Sequence, residues 1–218
     1  MKKLITIAIA CMLVHTAVDA QTRFGINAGA AFSNYTITGD NAPDQGSGFK
    51  SRTGFTAGVM ADVPISNYLS FQPAANFVQK GFKETETDNG TTLTASLNVD
   101  HLEVPLNFVL NTSGSRNGLF IGAGPAVSYA LSGQWKITDG TNSISEKVKF
   151  GSTEDDDLKR LDLEANFIAG FRFSQGLTIS ANYNLGLSNL TPVSADGSMK
   201  SHYFGIKAGF LFGGTGKK

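Results

Sequence analysis

Asp100 and His101 stand side by side, with Ser96 shortly before them and Ser128 further on. An acid, an imidazole and a hydroxyl are the parts of a base-activated nucleophile. Their spacing opposes that chemistry. Neighbours on a strand point to opposite faces, so Asp100 and His101 cannot form the hydrogen-bonded pair that activates a serine. His202 has no acid beside it, and both histidines read as structural. A second group is the acidic run Glu154, Asp155, Asp156 and Asp157 in GSTEDDDLKR. A calcium loop spaces its acids and needs a fixed glycine, so this run reads as a solvated loop. No catalytic residue, cofactor or metal site is assigned, and no enzymatic activity is expected. A barrel hydrolase is the third reading, beside a narrow pore.

The third group is larger and does not cluster in the chain. Arg23, Arg52, Asp62, Lys80, Glu103, Asp162, Glu164, Arg172 and Lys207 lie on the polar parity of alternating segments. In HLEVPLNFVL (101–110), Leu102, Val104, Leu106, Phe108 and Leu110 alternate with His101, Glu103, Pro105 and Asn107. A period of two is a strand with one apolar face. Seven other segments alternate likewise, beginning near Phe24, Phe55, Leu69, Leu119, Leu161, Leu177 and Phe204. The face opposite the apolar residues carries the charges and many glycines. Before His101 the phase reverses, since Ala95, Leu97 and Val99 fall on the other parity. That predicts that the strand leaves its apolar surroundings near Asp100, with a bulge or twist there.

The connections alternate between short polar turns and longer segments at 37–50, 83–93, 133–157 and 190–199. This is the pattern of an up-and-down meander with its long loops at one end. A soluble sandwich or lipocalin-like barrel would wet the polar face. A transmembrane barrel turns the apolar face to lipid and the polar one inward. The segments run ten residues or more, enough for the ~9–11 that cross a bilayer on a tilt. The expected fold is therefore all-β, an eight-stranded antiparallel transmembrane barrel. Eight strands enclose only enough room for side chains. Charges there must pair, which predicts a lumen plugged by a salt-bridge network. Trp135 and the tyrosines, Tyr35 and Tyr203 among them, lie towards strand ends, where they suit either the lipid–water interface or a core.

Composition agrees. Only 17% of the 218 residues are charged and the formal net charge is zero, which leaves no basic footprint for nucleic acid. Met1-Lys2-Lys3, the apolar run Leu4–Val14 and small residues up to Ala20 read as a cleaved signal peptide, residues 1–20, before a barrel domain at 21–218. Cys11, the one cysteine, lies inside that apolar run, which continues past it and argues against a lipid-modified N-terminus. An outer-membrane location follows, with both mature termini in the periplasm and the long loops outside.

HLEVPLNFVL, GLFIGAGPAVSYAL (118–131), RLDLEANFIAGFRF (160–173) and LTISANYNLGLSNL (177–190) resemble, in order, the signatures of the PorT-like outer-membrane β-barrel family of Bacteroidota. The resemblance spans most of the mature chain. It departs at Asn182, where that family often has arginine, and at the C-terminus, where Gly-Gly-Thr-Gly-Lys-Lys follows Phe212. The family resembles the small OmpX and OmpA barrels in fold. The expected role is non-enzymatic: recognition, adhesion or membrane integrity through the surface loops. The resemblance also implies an alternative, an accessory of a secretion or gliding system. Expected partners are outer-membrane lipid and a cell-surface or secretion-system protein.

Overall fold

The computed structural model describes residues 22–39, 49–88, 91–114, 116–140, 142–192 and 197–213. The expected signal peptide lies outside them, as do parts of all four long connecting segments. The described chain forms nine strands: β1(Arg23–Thr38), β2(Phe49–Pro64), β3(Leu69–Asp88), β4(Thr91–Asn111), β5(Gly118–Asp139), β6(Asn142–Lys147), β7(Leu161–Arg172), β8(Leu177–Gly186) and β9(Ser198–Phe212). All pair antiparallel. The ladder runs β4-β3-β2-β1-β9-β8-β7-β5 and closes through β4–β5. Eight strands therefore form a ring, and β6 pairs only with the far end of β5 as an arm. Closure leaves no sheet edge in the ring, as a membrane requires.

The apolar parity faces outward. Phe24 is 66% exposed, Leu119 60% and Val59 58%, while their neighbours Arg23, Phe120 and Gly58 turn inward. A soluble protein rarely exposes a contiguous apolar patch beyond a few hundred Å². Here the exposed belt encircles the ring and includes Phe55, Leu102, Ile121, Leu163, Ile179 and Ile206. Lipid is the solvent that makes such a surface favourable.

Two segments expected as loops are strands. β3, β4 and β5 are 20, 21 and 22 residues long, about twice what a bilayer crossing needs. The 83–93 segment continues β3 into β4, and much of 133–157 is β5 and β6. Their Thr-rich and polar composition reads as loop. Yet threonine is β-branched and suits a strand, and Thr87 and Thr92 hydrogen-bond across this hairpin at 3.2 Å.

The phase reversal at His101 has a different cause from the one expected. Along β4 the inward set is continuous: Leu97, Val99, His101, Glu103, Pro105, Asn107 and Val109 are all buried. The side chains do not change face; the surroundings do. Below Asp100 lipid lies outside and polar groups inside. Above it water lies outside, and Leu97 and Val99 join Tyr35, Phe82, Val148, Leu158, Leu190 and Met199 in an apolar core within the ring. The bulge expected at Asp100 is present in the β4–β5 register, where Asp100 faces Ser132 but His101 faces Ala130. Leu131 is the extra residue.

Some inward glycines make room for side chains: a Cβ at Gly170 would lie 2.6 Å from Phe120 Cζ. Others are required by backbone. A Cβ at Gly29 would lie 1.9 Å from the Ile206 carbonyl oxygen, and one at Gly124 2.0 Å from that of Leu106. The neighbouring strand itself fills the space.

Pro105 turns out not to be isolated. The β3–β4 pairing lapses between Pro73↔Leu106 and Asn76↔Glu103 without losing register. The β2–β3 pairing lapses between Met60↔Ala74 and Val63↔Phe71. The β4–β5 pairing lapses between Pro105↔Ala126 and Phe108↔Ala123, beside Pro125. Three prolines on adjacent strands thus concentrate their missing donors in one patch of wall.

Candidate functional site: a stratified lumen

Strand alternation brings eight of the nine expected charges into the barrel, and tilt and register sort six of them into two clusters. Nearer the long loops, Lys80 on β3 lies between Glu103 on β4 and Glu164 on β7. Its Nζ is bonded to Glu164 Oε1, lies 3.4 Å from Glu103 Oε2 and donates to Ser128 Oγ at 3.3 Å. Two of the ammonium's three donors are hydrogen-bonded, and Glu103 lies in ion-pair contact beside them. Glu103 also accepts from Tyr203 Oη (2.8 Å) and Asn184 Nδ2 (3.0 Å), and the same amide reaches Glu164 Oε2 at 2.7 Å. The Tyr203 ring lies 5.1 Å from Lys80 Nζ. One cation thus serves two carboxylates, and neutral donors satisfy the remaining lone pairs.

Nearer the short turns the balance is inverted. Asp62 on β2 accepts from Arg23 Nη2 at 2.9 Å and from Arg172 Nη2 at 3.3 Å. Arg172 also donates to the Arg116 carbonyl at 3.0 Å, and its guanidinium lies 5.4 Å from the Phe120 ring centre. One anion holds two cations. Between the clusters lies a neutral layer, in which Asn27 donates to Asn76 at 3.1 Å and Asn166 to Asn107 at 2.9 Å.

Three expected members depart from simple ion pairing. Asp162 is buried but bonded to hydroxyls, Ser188 Oγ at 2.6 Å and Ser201 Oγ at 2.5 Å. Charge-assisted hydrogen bonds can replace a counter-ion. Lys207 is buried and makes no salt bridge among the described residues. It borders a lumenal cavity of about 40 Å³ with Asn107, Asn166 and Asn182, large enough for a little water. Arg52 is not in the lumen. The β2–β3 register shifts between Ser51 and Thr56, and the irregularity lets the side chain turn to the outer wall, over Gly81, where a Cβ would lie 2.7 Å from Arg52 Cδ.

Ser128, considered as a nucleophile, serves Lys80 instead. Asp100 faces outward and accepts from Gln79 (3.1 Å) and Ser132 (2.9 Å), while His101 faces inward with Nδ1 3.3 Å from the Val99 carbonyl. The pair is split, as strand geometry dictates. Of the aromatic residues that suited either the lipid interface or a core, three take the core. Tyr35 and Tyr203 are buried in the lumen, and Trp135 packs edge-on against Phe82 at 5.9 Å. Tyr35 and Tyr203 lie on the inward parity of their strands, and that parity was the signal that could have placed them; Trp135 lies on the outward parity of its segment, and the bulge at Leu131 turns it inward. Tyr68, Tyr129 and Tyr183 are exposed.

The acidic run is held by its own backbone. Asp156 Oδ2 accepts from the Thr153 amide (2.8 Å) and hydroxyl (2.6 Å), and Asp157 from the Lys149 amide (2.7 Å). Among the described residues no cluster of acids, histidines or cysteines has metal-binding geometry. The Thr153 bonds favour the ionised form and lower the Asp156 pKa. Their stabilisation of the turn is therefore present above the ordinary aspartate pKa and lost as pH falls through the lowered one. The Thr153 amide resonance will titrate with a midpoint below the ~3.9 of a free aspartate; a midpoint at or above that value contradicts the geometry.

The family comparison agrees with this architecture. Residues 19–192 match the family model described as "Outer membrane protein beta-barrel domain". No curated protein matches the chain. Among solved structures, the chain is similar to Ail, the attachment invasion locus protein of Yersinia pestis, at 13% identity over 88% of this chain and 99% of that one, with a TM-score of 0.49. Neisserial surface protein A is similar at 12% identity over 87% and 97%, with a TM-score of 0.49. OprG of Pseudomonas aeruginosa is similar at 11% identity over 89% and 98%, with a TM-score of 0.44.

Proposed function

Because the chain belongs to the outer membrane protein beta-barrel domain family, we propose a particular use of that barrel: a sealed, non-enzymatic membrane anchor that acts through its projecting strands. The observation that carries this reading is the filling of the lumen. Two charged clusters and a neutral layer are stacked along it, and the apolar core of Tyr35, Phe82, Leu97 and Val99 closes the long-loop end. Val148 and Leu158, from the segment after β6, pack into that core as a stopper. A hydrated ion would have to displace paired charges in a space that excludes bulk water.

The projecting β3–β4 hairpin and the β5–β6 arm supply the recognition surface. β6 is exposed along its whole length. With the closed ring anchored in the bilayer below, these strands present side chains on a rigid support, which suits adhesion or partner recognition.

Purified protein in planar bilayers will show no large, stable open channels. Regular openings in the wild-type protein would remove the sealed-lumen reading. Cross-linking in intact cells, with the probe placed on β6, tests the recognition role; labelling confined to lipid would oppose it.

A further inference from the structure

The outer wall carries a cleft that the sealed lumen does not explain. It lies where the lipid-facing belt ends, and its volume is about 600 Å³. Arg52, Lys147 and Arg160 line it, together with Gln79, Asp100 and Phe150. Just below, Leu102 and Tyr129 are exposed and paired across β4–β5. Leu131, the bulge residue, is 49% exposed and forms part of the cleft wall. The cleft therefore straddles the boundary between apolar and polar surroundings.

Its cations are positioned, not merely present. The Arg160 guanidinium lies 5.0 Å from the Phe150 ring and 5.9 Å from the Tyr129 ring, and its Nη1 donates to the Ala130 carbonyl at 3.2 Å. Two rings and one hydrogen bond fix its plane and leave further N–H donors for another group. Arg52 lies across Gly81, and its buried Nη1 makes no hydrogen bond to the protein. The single acid, Asp100, is already held by Gln79 and Ser132. Three cations against one engaged carboxylate leave a net positive site beside lipid. Arginine forks match phosphate oxygens in pairs, and cations at this depth attract anionic headgroups.

We propose that this cleft binds the phosphate of an anionic lipid headgroup, with Arg52 and Arg160 as the principal ligands, Lys147 as a supporting charge and the lipid's chains lying along Leu131 and the belt beneath. The phosphate ester supplies the acceptors, and the apolar belt supplies the selectivity for a lipid over a free anion.

The test uses the full mature protein in detergent, followed by native mass spectrometry. The probes are dioleoyl phosphatidic acid, dioleoylglycerol with the same chains, and inorganic phosphate. Phosphatidic acid will remain bound after detergent release, dioleoylglycerol will not, and inorganic phosphate at equal concentration will not displace the lipid. In R52Q/R160Q, retention will fall by about tenfold or more, the loss expected for two charge-assisted contacts. K136Q, an exposed change outside the cleft, will bind like the wild type. Heat-modifiability on a gel checks folding. If the double variant is not compact, R160Q alone decides, because Arg160 is exposed on the surface. Equal binding of dioleoylglycerol, unchanged retention in the folded variants, or displacement by inorganic phosphate would each overturn the proposal.

Discussion

Lys80→Met will destabilise the barrel by about 3–5 kcal/mol, the usual cost of removing one partner from a buried ion cluster. The reason lies in the stoichiometry. Among the described residues, Lys80 is the only cation bonded to Glu103 and Glu164, so its loss leaves two buried carboxylates facing each other. Urea unfolding in detergent, followed on a gel by the shift of the unheated band, reads the effect. The triple variant K80M/E103Q/E164Q will recover most of the loss, because neutral amides keep the Tyr203 and Asn184 contacts without an unpaired charge. A K80M protein as stable as the wild type would show that water enters the upper lumen freely. That result would also undermine the sealed-lumen reading.

Asp62→Ala will cost about the same, roughly 3–5 kcal/mol, with the signs reversed. Among the described residues, Asp62 is the one anion bonded to Arg23 and Arg172. Without it two guanidinium groups repel each other in a confined space. Arg23→Met will be milder, since Asp62 keeps Arg172. The ordering D62A worse than R23M, measured by the same unfolding assay, distinguishes a minority ion at the centre of a cluster from an interchangeable member of a network. The two clusters are also independent. Glu164 and Arg172 share β7, eight residues apart, roughly 26 Å at the rise of a strand. Sites so far apart add, so K80M and D62A together will lose the sum of their separate effects. A marked shortfall would mean that the first variant has already opened the whole lumen.

Much of this barrel is legible from periodicity alone. Side chains on a strand alternate by geometry, so the apolar parity of Phe24 to Phe32 or Leu161 to Phe173 specifies one face without reference to any contact. Exposed apolar residues on that face then name the solvent. The same counting placed Asp62, Lys80, Glu103, Glu164 and Arg172 in one interior before any pairing was visible. Where a second signal was layered on the period, the reading went astray. Leu97 and Val99 reversed the apolar phase, which suggested a strand turning over. The structure keeps their direction and changes what lies outside. Polar composition suggested loops at 83–93 and 133–157, where β3, β4 and β5 continue as strand and β6 forms an arm.

What the amino-acid sequence determined by itself is which residues share the interior, because alternation is a local property of the backbone. What only the tertiary structure decided is who meets whom. Strand tilt and register set the height of each side chain in the ring, and neither is written in a single strand's pattern. Register brought Lys80 between two glutamates and Asp62 between two arginines, and left Asp162 to hydroxyls. A local irregularity in β2, invisible to an alternating pattern, turned Arg52 out of the lumen and onto the wall beside Arg160.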